Sequence, residues 1–423
     1  MPKLPIGVVF AKSMRSVNGM TLSLINCLGH DIVACDEEGL VRFDSPEYYD
    51  WRYSRRTFAA ISRLFSWGVD DAEMYASYDG YTGIPIHLTG NARVDLLRPE
   101  LRGVFQPKVD TLRARYGNFI LINTNFSFVN NFVSSLNLIQ RDSKGNFLNV
   151  SRTGLGLSRE FAEGMSNHQQ LIYDNFRKLL PKLYEWFPDT QFILRPHPSE
   201  NHDIWREIIK GQNNIQVVHD GNVVPWLMAC QCLLHNGCTT AVEAAVLGTP
   251  SITYQPIHSE IYDYHLPNSL SHKATTPEQV HERLFDVINS EVELINEQMQ
   301  EKLFAKHLAS TRGTFAADKI IGVLIDAGYL NNYPRSRSSL SSAYGWLGMS
   351  GRAFIQQVKM LLPNHRTNMK YHAHQFPSIS EEDLNLRISI LGKQLQRFSG
   401  IYAEMLSPYV FKIKNKVKAN TDA

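Results

Sequence analysis

The sequence has 423 residues, with 43 Lys+Arg against 41 Asp+Glu, and 43% hydrophobic residues. At roughly 150 residues per domain, that length predicts two or three domains with a sizeable core. A net charge of +2 argues against a general nucleic-acid binder, and 11% aromatic with 20% charged residues excludes a disordered chain.

No apolar run approaches the roughly 18 residues of a membrane-spanning helix; the best, 223–234, is short and contains Gln231. The start shows no signal-peptide pattern, so a cytoplasmic protein is expected. Cys27, Cys35, Cys230, Cys232 and Cys238 form no CxxC or zinc spacing and read as reduced thiols, and no metal site is expected.

In chain order, the first half predicts strands at 6–11, 31–35, 74–77, 84–88 and 119–123, with helices over 52–67 and 108–116 between them. The polar stretch 125–158 is too long for an ordinary connector and reads as a functional loop or a mobile insertion. The second half predicts helices at 171–187, 202–210, 224–229, 239–247 and 276–289, alternating with strands at 191–194, 215–219, 232–235 and 251–254. Alternation of this kind specifies a doubly wound parallel sheet whose ligand lies beyond the carboxyl ends of the strands. The Ser- and Arg-rich run 331–350 reads as a linker, and two helices follow at 353–362 and 381–399.

Three segments carry chemistry. FILRPHPSE, residues 192–200, delivers Arg195, His197 and Ser199 to a strand end, with Pro198 placed to start a helix. Donors and a helix N-terminus together suit a nucleotide phosphate. HNGCTTAVEAAVLGTPSITY, residues 235–254, makes a tight turn at Asn236 and Gly237. Thr239 and Thr240 then open a helix, with Glu243 one turn later in reach of a ribose hydroxyl pair. GHDIVACDEEGL, residues 29–40, sets Asp36, Glu37 and Glu38 at a strand end closed by Gly39. Crowded carboxylates raise one another's pKa and favour a poised general base. The Lys412, Lys414, Lys416 and Lys418 tail beside Phe411 is a solvated terminus or a contact for anionic lipid.

The segments around His197 and Thr239 together resemble the nucleotide-binding domain of GT-B glycosyltransferases. They are similar to CDP-glycerol glycerophosphotransferases, capsule Kdo transferases and UDP-N-acetylglucosamine 2-epimerase-like proteins. TGNARVDLL, residues 89–97, looks like the Gly-x-Pro-Arg-x-Asp entry to the second domain, with Ala92 replacing the usual Pro. DEEGL resembles the acidic motif of bacterial sialyltransferases, which implies Glu37 as base with Glu38 and Gly39 completing it, and Asp36 as the competing register. The order of all four segments resembles bacterial surface carbohydrate (polysaccharide) biosynthesis proteins.

The expected fold is therefore α/β, two Rossmann-like domains in a GT-B-like pair with a helical C-terminal extension. Residues 1–90 form the acceptor-side domain and 91–330 the nucleotide-sugar domain; 331–350 are the linker and 351–423 the extension. Family members usually begin with another strand–helix unit before the segment matching Gly7–Ser13. The first domain is expected to be trimmed or to be completed by the chain after 330.

The resemblance implies a metal-independent glycosyltransferase without a cofactor, catalytic through Glu37, Glu38 and His197. Arg195, His197, Pro198, Ser199, Asn236, Gly237, Thr239, Thr240 and Glu243 would bind a nucleotide-sugar donor, a CMP-linked Kdo or nonulosonate in the favoured reading. The acceptor would be a surface polysaccharide or lipid-linked glycan, reached by peripheral contact with the inner membrane. Alternatives are a UDP-HexNAc 2-epimerase-like enzyme, a CDP-glycerol-type phosphotransferase, or a non-catalytic polysaccharide assembly factor.

Overall fold

The computed structural model describes residues 4–43, 45–289, 297–330, 338–362, 378–407 and 409–416. Two parallel sheets organise them into the expected α/β pair of Rossmann-like domains. The first sheet runs β1 (Val8–Ala11), β2 (Asp31–Ala34), β3 (Arg63–Ser66) and β4 (Ile86–Leu88) in sequential order. The second contains β5 (Phe119–Asn123), β8 (Gln191–Arg195), β9 (Ile215–Val217), β10 (Cys232–His235), β11 (Ser251–Tyr254) and β12 (His272–Ala274). Its spatial order is β12-β11-β10-β5-β8-β9.

Burial explains the strand sequences. β5, β10 and β11 are buried along their whole length and read FILIN, CLLH and SITY, near-continuous apolar runs suited to a sheet covered on both faces. From β5 the chain winds outward through β8 and β9, then returns to β10 on the other side of β5. That reversal opens a crevice at the carboxyl ends of the central strands, where ligands bind in sheets of this kind.

Several sequence expectations change. Residues 74–77 belong to a helix, Val69–Ser77, and not to a strand. The helix expected over 52–67 is instead Arg55–Ala60 followed by β3. Ser54 accepts from the Thr57 backbone N–H in a capping box, and Ile61 turns extended so that β3 can pair with β2 and β4. Pro198 starts no helix; the next one begins at His202, as the 202–210 reading has it, and is capped by Asn201.

The 125–158 stretch is an arm packed between the domains. It carries a short hairpin of β6 (Ile139–Arg141) and β7 (Phe147–Val150). Leu138 and Ile139 join the first domain's apolar core beside Phe43, Tyr48 and Phe161. Trp51 and Arg15 both donate to the Thr153 carbonyl, at 2.7 and 3.0 Å.

The chain from Glu297 onward, grouped by sequence with the second domain, returns to the first. Ala309 donates to the Trp67 carbonyl at 2.6 Å, Ser310 to that of Thr89 at 2.7 Å, and the Tyr329 hydroxyl to Asp31. Leu308 and Ile320 share a core cluster with Val33, Cys35 and Phe65.

The linker expected at 331–350 is corrected too: from Ser339 it is helical, in a helix Ser339–Met360 that lies on Gly19–Cys27. Its first seven residues lie outside the described ones. The expected helical extension holds the helix Glu381–Leu395 but ends in an antiparallel hairpin, Ile401–Ser407 with Val410–Asn415. Lys412, Lys414 and Lys416 sit on or beside that hairpin, and Lys418 lies outside the described residues.

Candidate functional site

The acidic turn after β2 is built around one buried guanidinium. Asp36 is fully buried and takes Arg52 through both carboxylate oxygens, with Nε to Oδ2 at 2.6 Å. Its carbonyl accepts from Trp67 Nε1 at 2.8 Å, and its backbone N–H faces the Tyr75 hydroxyl at 3.3 Å. Asp36 is thereby committed to structure. The same Arg52 reaches Glu38 through its second terminal nitrogen at 2.9 Å.

The Glu38 side chain stays 76% exposed. The walls of the cleft would raise its pKa, but Arg52, with help from Arg15 and His197, holds it below the usual carboxylate range. Glu37 is half-buried, with its backbone N–H tied to the Lys12 carbonyl at 3.0 Å.

Across the cleft, β8 ends in Arg195-Pro196-His197-Pro198-Ser199-Glu200. The Ser199 N–H donates to His197 Nδ1 at 3.1 Å, which leaves the imidazole proton on Nε2. Burial pushes the His197 pKa down to about 4, opposed by the charge of Glu38. At neutral pH His197 is an uncharged Nε2–H donor that feels a carboxylate of the other domain. Each of the two loops stands at the carboxyl end of its own sheet.

Glu200, which motif reading left without a role, holds the His197 loop in shape. It is fully buried and accepts from Thr124 Oγ1 at 2.9 Å, Phe126 N at 3.0 Å, His197 N at 3.1 Å and Trp205 Nε1 at 2.9 Å. One carboxylate therefore joins the loop after β5 to the loop after β8. The arm adds backbone bonds, with Phe132 N donating to the Ser199 carbonyl at 2.8 Å.

Arg195 is taken up by partners within its own domain. It donates to the carbonyls of Asp220 and Gly221, at 2.8 and 3.1 Å, and stacks 4.9 Å from the Trp226 ring. Burial lowers its pKa to about 10.

The loop after β10 is equally fixed. Buried His235 accepts from the Gly237 N–H through Nδ1 at 2.9 Å and meets Ser271 Oγ through Nε2 at 2.8 Å; burial pushes its pKa to about 3. Gly237 turns at φ +83°, a left-handed conformation that favours glycine. Asn236 Oδ1 accepts from Asn125 N at 2.9 Å and its Nδ2 donates back to the Asn125 carbonyl at 3.3 Å. The loops after β5, β8 and β10 form one hydrogen-bonded rim.

Thr239 precedes the helix Thr240–Leu247 without capping it through its side chain, and Thr240 Oγ1 pairs with Cys238 Sγ at 2.6 Å. Glu243, 5% exposed, is ion-paired with Arg93 of the interdomain connector at 2.5 Å. Its second oxygen, Oε2, is buried without a hydrogen-bond partner among the described residues. Leu40, Trp67, Arg93, Thr239 and Glu243 line a small hollow between the domains.

Sequence reasoning missed Arg15, Arg52, Arg93 and Glu200. The Arg93 position was visible within TGNARVDLL, and Glu200 closes RPHPSE. Arg15 and Arg52 carry no local signal, because their partners lie far along the chain.

No protein-family model matches the sequence, and no curated protein matches it either. Solved structures similar to the chain include the wall teichoic acid polymerase TagF, at 14% identity over 72% of this chain and 69% of that one, with a TM-score of 0.44. A UDP-GlcNAc 2-epimerase from Neisseria meningitidis, bound to UDP-GlcNAc, aligns at 14% identity over 75% and 76% of the two chains, also at 0.44. The enzyme of the same name from Methanocaldococcus jannaschii aligns at 15% over 76% and 77%, again at 0.44.

Proposed function

We propose that this protein is a glycosyltransferase that uses a nucleotide-activated sugar to build a surface polysaccharide or lipid-linked glycan. The observation that carries the reading is that the exposed Glu38 carboxylate of one Rossmann-like domain and the His197 loop of the other stand at the carboxyl ends of their sheets, with the Glu38 charge acting on the imidazole. A sugar at the anomeric carbon between them would meet an ionised carboxylate on its acceptor side and an N–H donor on its phosphate side. Glu38, or Glu37 beside it, takes the proton of the acceptor hydroxyl as the new glycosidic bond forms. His197 Nε2–H donates to the phosphate oxygen as the bond to the nucleotide breaks.

The rim supports nucleotide binding: Asn236, Gly237 and Thr239 stand at the carboxyl end of β10, beside the reversal in strand order. Ser199 and Pro198 shape the His197 loop, and the unspent Glu243 Oε2 suits a ribose hydroxyl. Arg195 supports the site by fixing the 220–221 loop. The acidic turn favours a CMP-linked Kdo or nonulosonate as donor, with CDP- and UDP-linked sugars next.

The test is a thermal-shift panel of CMP, CDP, UDP and GDP on the wild type and on His197→Ala. One nucleotide should raise the wild-type Tm and lose that effect in the variant; a shift unchanged by the substitution sinks the proposed site. Incubation with the sugar nucleotide alone separates a transferase from an epimerase, which would turn it over without acceptor.

A further inference from the structure

The helix Ser339–Met360 presents an uncovered apolar face. One side lies on Gly19–Cys27, where Gly345 is buried and a Cβ there would stand 2.9 Å from Leu28 N. Gly348 approaches the Leu24 side chain in the same way. A different side carries Leu340, Tyr344, Leu347, Phe354, Ile355 and Val358, which are 47–85% exposed. At 3.6 residues per turn, these positions fall within a stripe about 100° wide. A stripe of this kind on a globular surface marks an interaction site.

Charge decides between occupants. From Ala327 to Ser380 the sequence contains no Asp or Glu, and it contains Arg335, Arg337, Arg352, Lys359, Arg366 and Lys370. Within the helix, Arg352 and Lys359 both lie along one edge of the apolar stripe, and neither takes a carboxylate partner among the described residues. An apolar stripe of aromatic and branched side chains, with cations along one edge and no acidic residue on the helix, matches an anionic lipid surface. The helix is not apolar enough to cross a bilayer, since no described helix is. It suits binding in the plane of the interface instead.

We infer that Ser339–Met360 docks the protein on anionic membrane, with Leu347 and Phe354 inserted among the acyl chains and Arg352 and Lys359 at the headgroups. This relocates the lipid contact from the basic C-terminal hairpin, where Lys414 is already paired with Glu404 and Lys416 lies over the Tyr402 ring. The inference does not depend on the proposed chemistry, because a vesicle-binding surface would exist with or without transferase activity.

The test is co-sedimentation of the full chain with phosphatidylcholine vesicles, with and without roughly a third of phosphatidylglycerol. The expected result is binding to the anionic vesicles alone, weakened by salt. The double variant Leu347→Asp with Phe354→Asp changes only exposed positions and should keep the wild-type Tm while its partitioning falls about tenfold or more. Absence of anionic-vesicle binding, or binding that the double variant retains, overturns the proposal. So does loss of binding only in Lys412→Gln with Lys416→Gln, which assigns the contact to the hairpin. A dimer in solution that the double variant dissolves, without vesicle binding, assigns the face to a second copy of the chain and overturns it as well.

Discussion

Arg52 separates the three acidic residues of the turn into different roles. It locks Asp36 in a buried bidentate pair, leaving Glu37 and Glu38 as the carboxylates able to meet an acceptor. The Glu38 charge acts on His197. Glu38→Gln should therefore lower kcat/KM roughly a hundredfold or more while leaving the nucleotide thermal shift intact, and Glu37→Gln should cost clearly less. The opposite ranking in a transfer assay would return the base role to Glu37. His197 and the fully buried His235 also make a pH statement. His197 and His235 are held near 4 and 3 in the folded protein, below the usual 6.5, so the unfolded chain binds more protons below that value. Stability is thus fully present above about pH 6.5 and is lost as pH falls towards the folded values, by at most about 1.4 kcal/mol per pH unit for each histidine. Urea unfolding between pH 6.5 and 4.5 should show a shallower pH dependence in His197→Gln than in the wild type. Equal slopes would show that the imidazole already takes up its proton in the folded state.

Among the elements, the segment after Glu297 is what holds the first domain's open face. Gly90 shows how tightly it sits: at φ +79°, a Cβ there would meet the Ala309 carbonyl oxygen at 2.3 Å. Gly68 faces the His307 carbonyl carbon at 2.5 Å in the same manner. Gly90→Ala should destabilise the protein by about 1–3 kcal/mol and raise hydrogen exchange in 297–330; unchanged exchange there would mean the segment is not anchored at this point. The central strands of the second sheet were readable in the sequence because they are buried on both faces and written as apolar runs, whereas the edge strand β12, HKA and half-exposed, went unread. The first domain was less so. Its strands are three or four residues long, and over such lengths an apolar run such as 74–77 fits helix and strand alike. Residues 331–350 resembled a linker because the run is rich in serine and arginine, yet Gly345 and Gly348 within it let two helices approach closely. Of the site, the loops at His197 and Thr239 and the acidic turn were visible as motifs. The Arg52, Arg93 and Glu200 connections were not, since each depends on which distant residues the fold brings together.

At the scale of the whole molecule, the two domains are joined by contacts of different kinds: the apolar arm of 125–158, the returning chain after Glu297, and the Arg93–Glu243 pair at the connector. The pair has two readings with different consequences. If Glu243 serves only to fasten the connector, its carboxylate needs Arg93 and nothing else. If it also holds a ribose hydroxyl through the buried Oε2, ligand binding and the interdomain contact share one side chain. Arg93→Ala leaves a buried carboxylate without its cation, which should destabilise the protein by about 1–3 kcal/mol, less than for a fully buried pair because the Arg93 side chain is 45% exposed. Adding Glu243→Gln removes the stranded charge, so the double variant should recover much of that loss. Nucleotide then separates the readings. A fastening role predicts that Glu243→Gln alone keeps the nucleotide-induced rise in Tm. A ribose contact predicts that the rise shrinks in Glu243→Gln and in the double variant but survives in Arg93→Ala, where both carboxylate oxygens remain. Loss of the rise in Arg93→Ala with retention in Glu243→Gln would contradict both roles and place the anion contact on the arginine itself.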